Sequence, residues 1–186
     1  LYYSILTGAI FGINTATAIF IKRQGVTYLP LMYISTSILT SLAILTYSIY
    51  IDRINKAKLF RWVIFSTVVI VLLSRILLSF SAQWFYSFLY IYANVSWLLL
   101  YTGFWTLAND ICDLRQAERI FPLVIGSGLV GGITAGFFGG YLVDFIHTNN
   151  LLFLWAAFLF IGFFVSGRVA HLTAAGSVPP VKEKPV

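Results

Sequence analysis

Residues 107–141 read LANDICDLRQAERIFPLVIGSGLVGGITAGFFGGY, a charged connector running straight into an apolar helix. Gly128, Gly132, Gly136 and Gly140 fall at intervals of four, and Ser127, Gly131, Ala135 and Gly139 form a second small-residue column beside them. Residues four apart share a helix face. A face without side chains lets another helix backbone approach closely, which is how helices pair inside a bilayer. The stretch therefore reads as a tightly packed membrane helix, with its charged connector at the membrane border.

The rest of the chain agrees. It is 60% hydrophobic and 10% charged, with a mean hydropathy of +0.91, whereas soluble domains carry roughly 25% charged residues. A bilayer span takes about 20 apolar residues, and six runs qualify: about Leu1–Ile21, Leu29–Ile51, Trp62–Phe80, Trp84–Leu107, Phe121–Val143 and Leu151–Arg168. Only Ser81-Ala82-Gln83 separates the third from the fourth, which implies a tight hairpin. The fold class expected is an all-α membrane protein with six transmembrane helices over residues 1–172. Residues 173–186, TAAGSVPPVKEKPV, are rich in small residues, proline and alternating charge. Such a segment cannot pack a core and reads as a cytoplasmic linker or tail. The chain begins at Leu1 inside an apolar run, without a basic leader. It reads as a fragment of a longer protein, not as a signal peptide.

Lys and Arg placement sets orientation. With the amino terminus inside, nine of the twelve basic residues fall on the inner side: Arg53, Lys56, Lys58, Arg61, Arg115, Arg119, Arg168, Lys182 and Lys184. Only Lys22 and Arg23 fall outside, and Arg75 lies within a span. Both termini are therefore expected to be cytoplasmic, in a multi-pass inner-membrane protein. The net charge of +6 then reflects topology and anionic inner-leaflet lipid. The partners expected are the bilayer and a small-molecule substrate of unknown identity, with no nucleic acid polymer.

Metal and cofactor chemistry finds no support. Cys112 is the single cysteine, His147 and His171 stand apart outside the spans, and no HExxH or CxxC spacing occurs. Serine chemistry fails as well. Ser127 sits among glycines, but the two positions a G-x-S-x-G elbow requires to be glycine are Ile125 and Leu129. No histidine lies within a span to act as base. No catalytic residue is assigned and no enzyme is expected.

A polar group at membrane depth should face protein or water. On the fourth span Tyr90, Asn94, Trp97, Tyr101 and Trp105 recur every three or four residues. Belt aromatics sit at helix ends, so Asn94 and Trp97, near mid-span, need another account. On the first span Tyr3, Thr7, Asn14 and Thr17 make a polar face, offset from the small face Ser4, Gly8, Gly12 and Ala16. Arg75 lies about five residues from the outer end, roughly 8 Å by helix rise, close enough to snorkel as an anchor. The bland alternative for Asn14 and Asn94 is hydrogen bonding to neighbouring helices. The connector Asn109–Arg119 reads as a short interfacial helix, with Arg115 and Arg119 on one face, Asp110 and Asp113 on another, and Asp113 as a cap for the turn that follows it.

Three stretches carry a family resemblance. The loop SIYIDRINKAKLFR (48–61) resembles the GxxxDRxGRR signature of the major facilitator superfamily at Asp52, Arg53 and the basic Lys56, with Ser48 and Asn55 replacing its glycines. FWTLANDICDLRQAERIFPLVIGSGLVGG (104–132) and KRQGVTYLPLMYISTSILTSL (22–42) resemble the ATP/ADP translocase-like nucleotide transporters, which share that architecture. Together these cover roughly half the chain. The resemblance implies one amino-terminal six-helix half of a major-facilitator-type bundle. It also implies a second half, from the same gene or another copy, and first and fourth helices around a central substrate cavity, for which Asn14, Thr17, Tyr90, Asn94, Trp97, Tyr101 and Arg75 are the candidates. Asp52 and Arg53, with Asp110, Asp113, Arg115 and Arg119, would form a cytoplasmic gate. The function expected is secondary transport by alternating access, of nucleotides or related organic anions. The alternative is a non-transporting membrane anchor or sensor for a soluble partner.

Overall fold

The computed structural model describes residues 1–51, 53–78, 83–146 and 148–176. Among these residues the regular structure is all helical, with no strand. The six long helices are α1 (Tyr2–Gln24), α2 (Leu29–Ile51), α3 (Lys56–Leu77), α4 (Gln83–Ile111), α5 (Leu114–Ile146) and α6 (Leu151–Gly176), with short 3₁₀ turns at Val26–Tyr28 and Thr148–Asn150. Five of the six are long and apolar enough to cross a membrane. The remaining one, α4, carries Tyr86, Tyr90, Tyr92, Asn94, Trp97 and Tyr101 along its length. These residues lower its hydropathy without shortening it.

Local chemistry sets the ends. Lys22 and Arg23 occupy the last turn of α1, where positive charge complements the helix dipole. Gly25 then takes φ 86°, a left-handed backbone that glycine adopts without steric cost, and its N–H closes on the Ile21 carbonyl at 3.0 Å. Asn55 caps α3, its side-chain oxygen accepting from the N–H groups of Ala57 (3.0 Å) and Lys58 (3.3 Å).

Several helices outrun their apolar runs. α3 starts at Lys56, not near residue 62; α5 starts at Leu114, not near 121; and α6 continues to Gly176, past the expected boundary at 172. Hydropathy marks where lipid begins, whereas the backbone ladder continues into charged sequence until a cap or breaker stops it. Residues 79–82, in the expected hairpin, and 177–186, in the expected tail, lie outside the described residues.

The helices are not equivalent. Twelve residues of α1 are buried against two of α2, Met32 and Tyr47. α1 packs against α4, α5 and α6; α4 packs against α1, α2 and α3; and α3 packs against α6. Exchanging α1 for α4, α2 for α5 and α3 for α6 leaves this set of main pairs unchanged. The two sequence halves, α1–α3 and α4–α6, thus interleave, packing mainly on each other with α1 and α4 at the centre. α2 and α5 are outer helices that turn long apolar faces outward, including Ile34, Ile38, Leu45 and Ile49 on one and Leu129, Ile133, Phe137 and Tyr141 on the other.

Glycine makes the closest crossings. On α1 a Cβ at Gly12 would stand 2.3 Å from the ring of Trp155, and one at Gly8 3.0 Å from the Phe158 Cβ. Trp155 is fully buried. The face Ser4, Gly8, Gly12, Ala16 is therefore the seat of α6. On α4 a Cβ at Gly103 would meet Phe60 of α3 at 2.7 Å and the Tyr47 hydroxyl of α2 at 3.1 Å.

Candidate functional site

The small residues of α5 receive the amino-terminal half of α1. A Cβ at Gly128 would stand 2.3 Å from the Tyr2 ring. One at Gly131 would stand 2.6 Å from Thr7 Oγ1 and 3.1 Å from the Tyr3 carbonyl. Ala135 is fully buried, and the Gly139 position faces Phe11 at 3.4 Å. Thr7 turns its hydroxyl back onto the Tyr3 carbonyl at 2.7 Å, which satisfies it while buried, and Tyr3 donates to Thr134 Oγ1 at 3.4 Å. The first two members of α1's polar face thus pack against α5. Gly132 meets only Ile10, at 3.3 Å, and the Gly136 and Gly140 positions have nothing within 4 Å. The close contacts follow 128, 131, 135 and 139, and the strict four-residue column bends away from α1 toward its carboxyl-terminal half.

Where that column opens, a cleft of about 310 Å³ remains between α1, α5 and the start of α6. Asn14, Thr15, Gly136, Gly139, Gly140 and Thr148 line it. Asn14 is exposed there, and Thr17 is half-buried.

The α4 candidates divide. Tyr90 is buried and sits against Phe20 of α1, ring centroids 5.2 Å apart, so it belongs to the central α1–α4 core. Asn94, half-buried, donates from Nδ2 to the Tyr90 carbonyl at 2.9 Å; its amide bonds its own helix, not the neighbouring one the bland reading expects. Trp97 and Tyr101 lie 5.5 Å apart, and Tyr101 and Trp105 6.3 Å. Trp105 continues the row to Phe121 of α5 at 5.2 Å and to Tyr2 of α1 at 5.7 Å. Tyr101 is 39% exposed, so this row has an open flank on which a planar ligand can stack.

Arg75 stands elsewhere. Its Nε and Nη2 donate to Asn150 Oδ1 at 3.2 and 2.9 Å, and its guanidinium lies over Phe153 at 5.7 Å. It ties the end of α3 to the start of α6. At the same end Ser87 donates to Gln24 Oε1 at 3.0 Å, and the Arg23 guanidinium lies over Tyr86.

The opposite end carries the basic helix termini. Cys112 and Asp113 interrupt the backbone between α4 and α5, which corrects the expected interfacial helix: Asn109 and Asp110 close α4, and Arg115 and Arg119 open α5. Two non-helical residues there end one long helix and start the next, with the Asp113 carbonyl accepting from Ala117 N–H at 2.8 Å. Asp110 forms an ion pair with Lys56. Arg53, Asp113, Arg115 and Arg119 are exposed. Asp52, central to the expected gate, lies outside the described residues, as does His147. Among the described residues no group of three or more His, Cys, Asp or Glu side chains is placed to hold a metal ion.

Sequence reasoning passed over the Trp155 seat on Gly12 and the Phe60 seat on Gly103. The first had a signal, since Gly8 and Gly12 stand four apart. The second glycine is solitary and had none.

Helices of this length and composition, packed in this way, define a multi-pass all-α membrane protein. One curated protein matches part of it: the chain is 35% identical over 72 residues to ADP,ATP carrier protein 3 of Rickettsia conorii, a match covering 38% of this chain and 14% of that carrier. No family model matches the chain, and no solved structure does.

Proposed function

We propose that the chain is a six-helix bundle of a secondary transporter, and that its substrate is a nucleotide or a related organic anion. The observation that carries this reading is the similarity to an ADP,ATP carrier. Packing supports it. The halves α1–α3 and α4–α6 exchange without changing the main pairs between them, and each contains an odd number of spans, so they run in opposite directions through the bilayer. Inverted repeats of this kind recur in secondary transporters, with the substrate near the repeat interface. The most buried helices, α1 and α4, also carry Asn14, Thr17, Asn94, Trp97 and Tyr101, which supply amide and aromatic groups toward a base.

Charge refines the proposal. Arg75 is engaged with Asn150, so this bundle offers few cations at membrane depth for phosphates. A second bundle, seated against the apolar outer faces of α2 and α5, would supply them. The chain spans a small part of the carrier it matches, and the activity belongs to the whole protein.

The test is exchange of labelled ATP for ADP, and of other nucleotides, by the full-length protein in liposomes. Saturable exchange that falls on Asn94→Ala or Trp97→Ala is the expected result. A folded, inserted protein that moves no nucleotide or organic anion overturns the reading.

A further inference from the structure

A cleft of about 250 Å³ lies between the first turns of α3 and the middle of α6, lined by Lys58, Arg61, Trp62, Phe65 and Phe163. The four α3 residues fall at i, i+3, i+4 and i+7, one helical face. Arg61 places its guanidinium over the Phe163 ring at 4.9 Å, and Phe65 packs on the same ring at 6.0 Å. Arg61 Nε is buried without a hydrogen-bond partner. Among the described residues the ion pair at this end is Lys56 with Asp110, and neither Lys58 nor Arg61 has a carboxylate. Two unneutralised cations, one with an unsatisfied buried donor, thus share an aromatic-walled cleft at a helix N-terminus, where the helix dipole adds positive potential.

The cleft continues into an apolar track. Trp62 is 68% exposed and Phe65 48%, and below them Val69, Leu72 and Ile76 are exposed at the same helical spacing along α3. A free anion uses the cations alone, whereas an amphiphile uses the cations, the aromatic collar and the track together. From this geometry we infer that the α3–α6 cleft is a binding site for an anionic phospholipid. The phosphate lies between Lys58 and Arg61, Trp62 stands at headgroup level, and an acyl chain lies along Phe65, Val69, Leu72 and Ile76. Basic pockets between membrane helices bind anionic headgroups in this manner. The site is remote from the α1–α5 cleft and does not rest on the transport reading.

Native mass spectrometry of the purified protein with phosphatidylglycerol and phosphatidylcholine tests it. Phosphatidylglycerol is expected to be retained in preference to phosphatidylcholine. Lys58→Gln and Arg61→Gln are each expected to weaken retention about five-fold, which corresponds to about 1 kcal/mol per cation near a membrane surface, and Arg61→Lys to restore part of the loss. Lys58 is exposed, so Lys58→Gln decides the matter even if Arg61→Gln fails to fold. Brominated phosphatidylglycerol is expected to quench wild-type fluorescence more than that of Trp62→Phe. Unchanged retention in Lys58→Gln, or equal retention of phosphatidylcholine, overturns the site. Inorganic phosphate that binds the detergent-solubilised protein and displaces the lipid, with loss in the same variants, makes it a free-anion site and overturns the lipid assignment.

Discussion

Gly12 has no side chain because Trp155 occupies the place where one would be. The ring lies 2.3 Å from an ideal Cβ and is itself fully enclosed, so neither partner has room to yield. Gly12→Ala is expected to destabilise the purified protein by about 1–3 kcal/mol, the usual cost of overpacking, read as a lower midpoint of thermal unfolding in detergent. Trp155→Leu in the same chain is expected to recover part of that loss, because residues in contact do not act additively. Gly136 is the contrast. Its Cβ position is open, and Gly136→Ala is expected to change stability by no more than about 0.5 kcal/mol. An equal loss in Gly12→Ala and Gly136→Ala would mean that α1 approaches α5 along a different line. The sequence shows both glycine sets with the same spacing. Only the path of the neighbouring helix separates a glycine under a ring from a glycine beside a cleft.

Lys56 and Asp110 join two helices at their ends, the first residue of α3 and the penultimate residue of α4. Their side chains are 38% and 48% exposed, and water screens such a pair to about 1 kcal/mol or less. A double-mutant cycle on Lys56→Gln and Asp110→Asn, followed by thermal unfolding, is expected to give a coupling within that bound, and a larger value would show the pair to be shielded. The sequence placed Asp110 in one expected gate with Arg53, since both lie in charged stretches between spans. The structure pairs it with Lys56 because the Asn55 cap starts α3 early and carries Lys56 onto the helix. Helix ends were the least legible elements for the same reason: a charged first turn is invisible to hydropathy, yet its backbone is fully helical.

Across the whole molecule, Arg53, Lys56, Lys58, Arg61, Arg115 and Arg119 border one end of the bundle, and Lys22, Arg23 and Arg75 the other. The asymmetry predicts that the end carrying Lys56 faces the cytoplasm. In a Cys112→Ser background, cysteines placed at positions 53 and 58 are expected to react with an impermeant maleimide only after the membrane is opened. Labelling from outside intact cells reverses the orientation. The sparse burial of α2 leaves wide apolar faces beside the central helices. Under the proposed transporter reading these faces would receive a second bundle, with rocking between the two exposing the site alternately. Cross-links from cysteines at exposed positions such as Ile38 and Ile133 to residues beyond this chain are expected in the full-length protein. Cross-links to lipid alone would leave the bundle standing by itself.

Composition and periodicity were enough to determine that the chain is helical, that it belongs in a bilayer, that it has six long segments, and that basic charge lies mostly on one side. Those properties depend on local residue type and on one solvent, and each residue contributes independently of its distant neighbours. Tertiary structure alone decided that α1 and α4 form the centre, that Tyr90 is core while Trp97 and Tyr101 keep an open flank, that Arg75 is tied to Asn150, and that Lys58 and Arg61 share a cleft with Phe163. Each of these is a relation between residues far apart in the chain. Helical spacing shows which side chains share a face, and only the packed neighbour determines what that face meets.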